Sequence, residues 1–266
     1  MKLFNLATKG GEDMKLEGHE SGVMALGVSA DGRTLVSGGY DNKVLIWDAN
    51  TGKRKLTLEG HTSSVNSVAV SKDGTLVISS SEDYSTRIWK VEGKEGKKYK
   101  KVEFGDWVYA CAVVFASDEK SFFAGGGVLR VKVGILKQYR VETGEEMRVF
   151  EGHTSCVMSV AVTCDGKRLV SGSQDRTIIV WDVKIGANVR TLKGHSFGVS
   201  SVAITPDGKK IVSGSEDNTA KVWSMEDGNL LHTFGAHTAG VRSVVIHPSG
   251  EFLVTGSDDK TWKLWR

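Results

Sequence analysis

Residues 152–182 read GHTSCVMSVAVTCDGKRLVSGSQDRTIIVWD, and this stretch decides the fold. Gly152-His153 opens it, and Val157, Val160 and Val162 lead to Asp165-Gly166, a dipeptide that supplies a tight turn between two apolar runs. Leu169 to Ser171 form the next run, a polar turn carries Asp175, and the β-branched run from Thr177 to Val180 ends on Trp181. The pattern predicts three short strands joined by turns. Working outward, Trp181, Trp223 and Trp265 recur every 42 residues, Tyr139 stands 42 before Trp181, and Trp47 and Trp89 are again 42 apart. Self-similarity at such a period marks a repeat architecture, in which each unit buries its faces against its neighbours.

Gly-His at the head of the unit, an Asp after the second strand and Trp-Asp at its end resemble the WD40 repeat. The resemblance runs from Gly18 to Arg266 and implies a β-propeller of four-stranded blades around a central channel. Regular units begin at His19, His61, His153, His195 and His237. A further unit, about 105–151, is divergent: Asp106 takes the His position, Ala124 the Ser or Thr position and Tyr139 the Trp position. The expected fold is therefore all-β, a six-bladed propeller forming a single domain over 1–266, with 18–266 as the six units and 1–17 as closing strand and overhang. Phe4 aligns with the Trp position and 12–17 with an outer strand, so 12–17 is expected to complete the last blade, close the ring and remove an exposed sheet edge. A seven-bladed or incomplete propeller is the alternative.

Composition narrows the setting. The 266 residues are 39% hydrophobic with 32 Gly and 2 Pro, which suits one substantial core and many tight turns. A net charge of +3 is too small to argue for nucleic acid by itself. No apolar run reaches the length of a membrane-spanning helix, and the N-terminus lacks the apolar stretch of a secretory signal, so no membrane insertion is expected. Cys111, Cys156 and Cys164 make an odd number without a C-x-x-C pair. That argues against a disulfide framework and for an intracellular location, cytoplasmic or nuclear.

His153, Ser171 and Asp175 have the composition of a nucleophilic triad, but triads are recognised by geometry and roles. With Trp181 they form a set that recurs as His19, Ser37, Asp41 and Trp47; His61, Ser79, Asp83 and Trp89; His195, Ser213, Asp217 and Trp223; and His237, Thr255, Asp259 and Trp265. Five copies on five blades read as structural tetrads, with Asp bonded to His, His to the hydroxyl, and the hydroxyl to the indole N–H. No enzymatic activity, cofactor or metal site is expected. Histidines spaced one per blade cannot converge on one ion. Gly125-Gly126-Gly127 lacks the spacing of a phosphate-binding loop and reads as a loop insertion in the divergent blade.

The resemblance also implies where a partner docks. In the family, partners favour the face around the channel mouth, where each blade offers three slots: the residues before and after the first-strand Val, and the residue before the tetrad Asp. On this sequence the third slot holds Tyr40, Glu82, Gln174, Glu216 and Asp258. The first two include Tyr109, Cys111, Cys156, Met158 and Arg242, among small residues such as Gly198 and Gly240, with Trp107 and Phe197 in adjoining loops. Aromatic and Met anchors beside carboxylates suit a peptide carrying a Lys or Arg side chain. The expected function is a non-enzymatic protein-interaction scaffold within a larger complex, its oligomeric state open. The alternative is an RNA- or nucleic-acid-associated complex component using the basic strip Lys94–Lys101, whose bland reading is a solvated sheet edge.

Overall fold

A computed structural model describes residues 2–3, 14–92, 95–104, 108–128, 133–235 and 237–266. The described chain is all β, in two compact units, Met1–Ala110 and Cys111–Arg266. In the first unit β1 (Lys2–Leu3) pairs with β2 (Met14–Lys15). The first blade is β3 (Val23–Val28), β4 (Thr34–Gly39), β5 (Val44–Asp48) and β6 (Arg54–Leu58). The second is β7 (Val65–Val70), β8 (Leu76–Ser81), β9 (Ser85–Glu92) and β10 (Glu95–Glu103). The third starts with β11 (Tyr109–Phe115), which crosses the unit boundary, and continues with β12 (Ser121–Val128), β13 (Val133–Arg140) and β14 (Glu146–Val149). The fourth is β15 (Val157–Val162), β16 (Arg168–Ser173), β17 (Thr177–Asp182) and β18 (Asn188–Lys193). The fifth is β19 (Val199–Ile204), β20 (Lys210–Ser215), β21 (Ala220–Ser224) and β22 (Leu230–Phe234). The last is β23 (Val241–Ile246), β24 (Leu253–Ser257) and β25 (Trp262–Trp265). Six blades form among the described residues, as the sequence period predicts.

The turns follow the chemistry of their residues. At Asp165-Gly166, Gly166 takes φ +70°, a left-handed conformation open to glycine without steric cost. The Asp165 carboxylate accepts from the Thr163 hydroxyl at 2.6 Å and from the Lys167 N–H at 3.0 Å, so the loop is bonded at its centre.

Within each unit, successive blades pack face to face through one repeated contact. The fifth blade's Ala203, Val212, Ala220, Val222 and Phe234 meet Val241, Val244, Ile246, Leu253 and Trp265 of the last. A Cβ on Gly214 would stand 2.7 Å from Val241 Cγ1, and the same close approach brings Gly172 to Val199 and Gly38 to Val65. One period on, the same positions of the last blade are more exposed: Val245 is 58% exposed, Trp262 and Leu264 are 47% exposed, and among the described residues nothing lies within 4 Å of a Cβ on Gly256. In the first blade Leu26 is 53% exposed, whereas its counterpart Val68 is 7% exposed.

Two expectations are corrected. Met14–Lys15 do not lie as the outer strand of the last blade: they pair with Lys2–Leu3, and the last blade has three strands among the described residues. Leu16 is buried against Leu35, Leu45 and Trp47 of the first blade just as the outer-strand Leu58 is buried against Val77 and Trp89 of the second, so its packing keeps the outer-strand pattern, while pairing with a strand nearby in sequence closes only a short loop. Phe4, Glu12 and Asp13 lie outside the described residues. Gly125–Gly127 are not a loop but part of β12, paired with Gly134, Ile135 and Leu136. Glycine is needed there because a Cβ on Gly125 would meet Val157 Cγ1 at 2.7 Å, and one on Gly127 would meet the Cys156 Cα at 2.7 Å.

Tyr139 faces Phe122 across the third blade as Trp181 faces Leu169 across the fourth, so it does occupy the Trp position. Its ring stacks on Phe122 at 5.4 Å, and the fully buried Ala124 replaces the hydroxyl residue with apolar packing. Asp106 lies outside the described residues.

Candidate functional site

The five tetrads have one geometry. In the fourth blade His153 Nδ1 lies 2.8 Å from Asp175, His153 Nε2 is 2.7 Å from Ser171 Oγ, and the Trp181 indole N–H donates to Ser171 Oγ at 2.8 Å. One tautomer satisfies every group: Nδ1–H donates to the carboxylate and the Ser171 hydroxyl donates to Nε2. The His–hydroxyl distance is 2.7 Å in all five copies, and the His–carboxylate distances run from 2.7 to 2.9 Å. The Thr154 N–H also donates to Asp175, at 2.9 Å, so the same bonds tie the loop before β15 to the turn before β17.

Electrostatics follow from that geometry. Burial alone pushes the Asp175 carboxyl up, but bonds from His153, Thr177 and the Thr154 N–H outweigh it and hold it down at about 2. Asp41, Asp83, Asp217 and Asp259 are likewise held below the usual carboxylate range. Burial pushes the His61 imidazole down, against the opposing pull of Asp83. Ser171 is fully buried and its oxygen accepts the indole N–H. Among the described residues, no group of three or more His, Cys, Asp or Glu side chains could hold a metal ion. Among the described residues, no helix is long and apolar enough to cross a membrane.

The third-slot residues share a second geometry. The backbone N–H of Tyr40, Glu82, Gln174, Glu216 and Asp258 donates to the carbonyl of Gly22, Ser64, Cys156, Gly198 and Gly240 in turn, at 2.9–3.0 Å. In the first unit Tyr40 is exposed above Gly22, Glu82 accepts from the Ser63 hydroxyl at 3.3 Å, and Tyr109 lies against Tyr84 with ring centres 5.2 Å apart. Trp107 lies outside the described residues.

In the second unit the slots of successive blades adjoin. A Cβ on Gly198 would stand 3.2 Å from Gln174 Cα and 3.4 Å from Glu216 Oε2, and one on Gly240 would stand 3.3 Å from Glu216 Cα. Arg242 links two of these slots: its Nη1 donates to Glu216 Oε1 at 2.8 Å and its Nε to Asp258 Oδ2 at 2.7 Å, with all three side chains about half exposed. Phe197, 60% exposed, rises from the loop before β19, and Met158 is half-buried on β15.

Sequence reasoning placed Glu216, Asp258 and Arg242 in slots but missed their pairing, which spans 26 and 16 residues and two blades. It also missed the contact of Cys111 with Cys156, whose sulfurs are 3.3 Å apart. The slot alignment held the signal, since these cysteines occupy slots of consecutive blades. The basic strip lies on β10, the outer strand of the second blade, with Lys100 opposite Ile88 and Lys101 opposite Arg87. Lys101 is paired with Glu103 at 2.5 Å, while Lys94 lies outside the described residues.

Comparisons with known proteins agree with this geometry. The family model described as WD domain, G-beta repeat matches residues 11–48, 52–90, 144–182, 186–224 and 228–266. Its gap, from 91 to 143, contains most of the divergent third blade. The target of rapamycin complex subunit wat1 of Schizosaccharomyces pombe is 39% identical over 70 residues, 26% of this chain and 21% of that protein. The WD repeat-containing protein SL1-17 of Schistosoma mansoni is 27% identical over 170 residues, 64% of this chain and 54% of that protein. The guanine nucleotide-binding protein subunit beta-1 of Caenorhabditis briggsae is 27% identical over 159 residues, 59% of this chain and 45% of that protein. The matched stretch thus spans between about a fifth and about half of these relatives.

Proposed function

Because the chain belongs to the WD40 repeat family, we propose that it is a non-enzymatic scaffold that holds partner proteins on the slot-bearing face of its blades. The observation that carries this reading is the rim in the second unit, where Phe197 stands 60% exposed beside Gly198, a Cβ on Gly198 would be 3.4 Å from Glu216 Oε2, and Arg242 links Glu216 to Asp258. An exposed aromatic gives a partner apolar area to bury, and the half-exposed charges around it form a polar surround that fixes orientation. Met158 and Gln174 extend this rim, and Tyr40, Glu82, Tyr109 and Trp107 are the contacts proposed for the first unit. Two relatives are named as subunits of larger assemblies, which supports a role within a complex.

The preferred ligand is a peptide segment with a Lys or Arg beside an apolar residue. Arg242 already neutralises one of its two carboxylate partners, so the cluster carries one surplus negative charge. A basic side chain is therefore favoured, and less strongly than by two unpaired carboxylates. The odd cysteine count supports an intracellular setting, cytoplasmic or nuclear.

The test is capture of proteins from an extract by the immobilised chain, with the bound set identified by mass spectrometry. Phe197→Ala combined with Gln174→Ala should lose the specific set at unchanged melting temperature, and Lys100→Ala with Lys101→Ala should keep it. If the lysine variant loses the set while the rim variant keeps it, the basic strip is the docking surface and the reading fails.

A further inference from the structure

Cys111 and Cys156 are brought together by two blades. Cys111 lies on β11, the innermost strand of the third blade, and Cys156 immediately precedes β15, the innermost strand of the fourth. Their sulfurs are 3.3 Å apart, within thiol hydrogen-bond distance. A disulfide needs about 2 Å, so bonding requires a movement of little more than an ångström. The neighbourhood of Cys156 is tightly packed: a Cβ on Gly127 would be 2.7 Å from Cys156 Cα. Access is unequal, since Cys111 is half-buried and Cys156 is 3% exposed.

We propose that Cys111 and Cys156 form a dithiol site that hydroperoxide-class oxidants close into a disulfide joining the third and fourth blades. Cys111, the more accessible sulfur, meets the oxidant. Its thiolate attacks the peroxide, the O–O bond breaks, and Cys111 becomes a sulfenic acid with release of water or an alcohol. The Cys156 thiolate then attacks Cys111 Sγ, the S–O bond breaks, and the hydroxide leaves as water. Both sulfurs are oxidised and the peroxide is reduced; the net change is two thiols plus one hydroperoxide to one disulfide plus water and the corresponding water or alcohol. In the reduced pair the bond that Cys111 makes to Cys156 lowers the Cys156 thiol and outweighs the opposing effect of burial. Thiol pairs in reducing compartments act in this transient, sensing manner rather than as permanent staples. The site lies on the slot-bearing rim, where the Gln174 N–H donates to the Cys156 carbonyl, but the chemistry is independent of what docks there.

The third cysteine is an internal control. Cys164 is exposed in the turn after β15, at the far end of that strand from Cys156, about 20 Å away by strand rise. The experiment treats the reduced, full chain with hydrogen peroxide, stops the reaction with catalase, alkylates the unfolded protein with iodoacetamide and maps peptides by mass spectrometry. The expected result is an intramolecular Cys111–Cys156 peptide pair lighter by two hydrogens, reversed by dithiothreitol, with Cys164 still alkylated. Cys111→Ser, at the half-exposed position, should abolish the cross-link. In Cys156→Ser, Cys111 should accumulate as a sulfenic acid that dimedone traps; if that variant does not fold, Cys111→Ser alone decides. Recovery of both Cys111 and Cys156 as alkylated thiols when Cys164 is oxidised, or cross-links only between molecules, overturns the proposal.

Discussion

Trp181 shows how much one residue of a tetrad carries. Its ring is fully buried, meets Phe150 edge-on at 5.7 Å, and donates its N–H to Ser171. Trp181→Ala should therefore lower stability by about 3–5 kcal/mol, the range for deleting a large buried aromatic, as read by urea denaturation. Asp175→Asn keeps the shape but weakens the bonds to His153 and the Thr154 N–H, and should cost less. The sign of the acid response follows from Asp175, whose folded carboxyl sits near 2 while an unfolded one sits near 3.9. The unfolded chain takes up the proton first, so this stabilisation is complete above about pH 4 and is lost as pH falls towards 2. The urea midpoint should decline across that window, and less steeply in Asp175→Asn; parallel curves would show that the network does not hold the carboxyl down. The tetrads were legible in the sequence because a hydrogen-bonded set repeated in register leaves the same letters at the same offsets. Arg242 was not legible in the same way, because its partners belong to different blades and only packing brings them within reach.

Glycines on the second strand of a blade test how elements pack. Gly214 and Gly256 occupy the same strand position one repeat apart, yet their surroundings are opposite. A Cβ on Gly214 would meet Val241 Cγ1 at 2.7 Å and Val244 Cγ1 at 2.9 Å, whereas one on Gly256 would meet nothing within 4 Å. Gly214→Val should cost about 1–3 kcal/mol through overpacking. Gly256→Val, on a strand whose backbone suits a β-branched residue, should stay within about 0.5 kcal/mol. Thermal melts of the two variants decide it: equal losses would mean that the last blade's face is covered in solution. The same packing explains where element-level reading failed. Three consecutive glycines have the composition of a loop, and only the approach of Val157 and Cys156 shows why β12 needs them. Met14–Lys15 were expected to finish the last blade because alignment finds strand identity but not strand partner. Leu16 packs on the first blade as Leu58 packs on the second, so apolar contact marks the outer-strand position without naming its hydrogen-bonding partner.

For the molecule as a whole, binding and stability should be separable, because the rim residues do not belong to the tetrads. Magnitudes decide which rim contact dominates. Half-exposed ion pairs such as Arg242–Glu216 and Arg242–Asp258 contribute about 0.2–1 kcal/mol each, whereas an aromatic anchor buried by a partner contributes about 2 kcal/mol or more. For a basic peptide from a captured partner, Phe197→Ala should thus weaken binding by about thirtyfold, measured by calorimetric titration. Glu216→Gln with Asp258→Asn changes the cluster from one net negative charge to one net positive and leaves Arg242 without its carboxylates. That variant should weaken binding severalfold at low salt, with the difference shrinking as salt screens these exposed groups. Both variants should melt with the parent. If Phe197→Ala binds as tightly as the parent while the carboxylate variant loses all affinity, the rim works as an electrostatic clamp rather than an aromatic anchor. If neither loses affinity, the partner docks elsewhere.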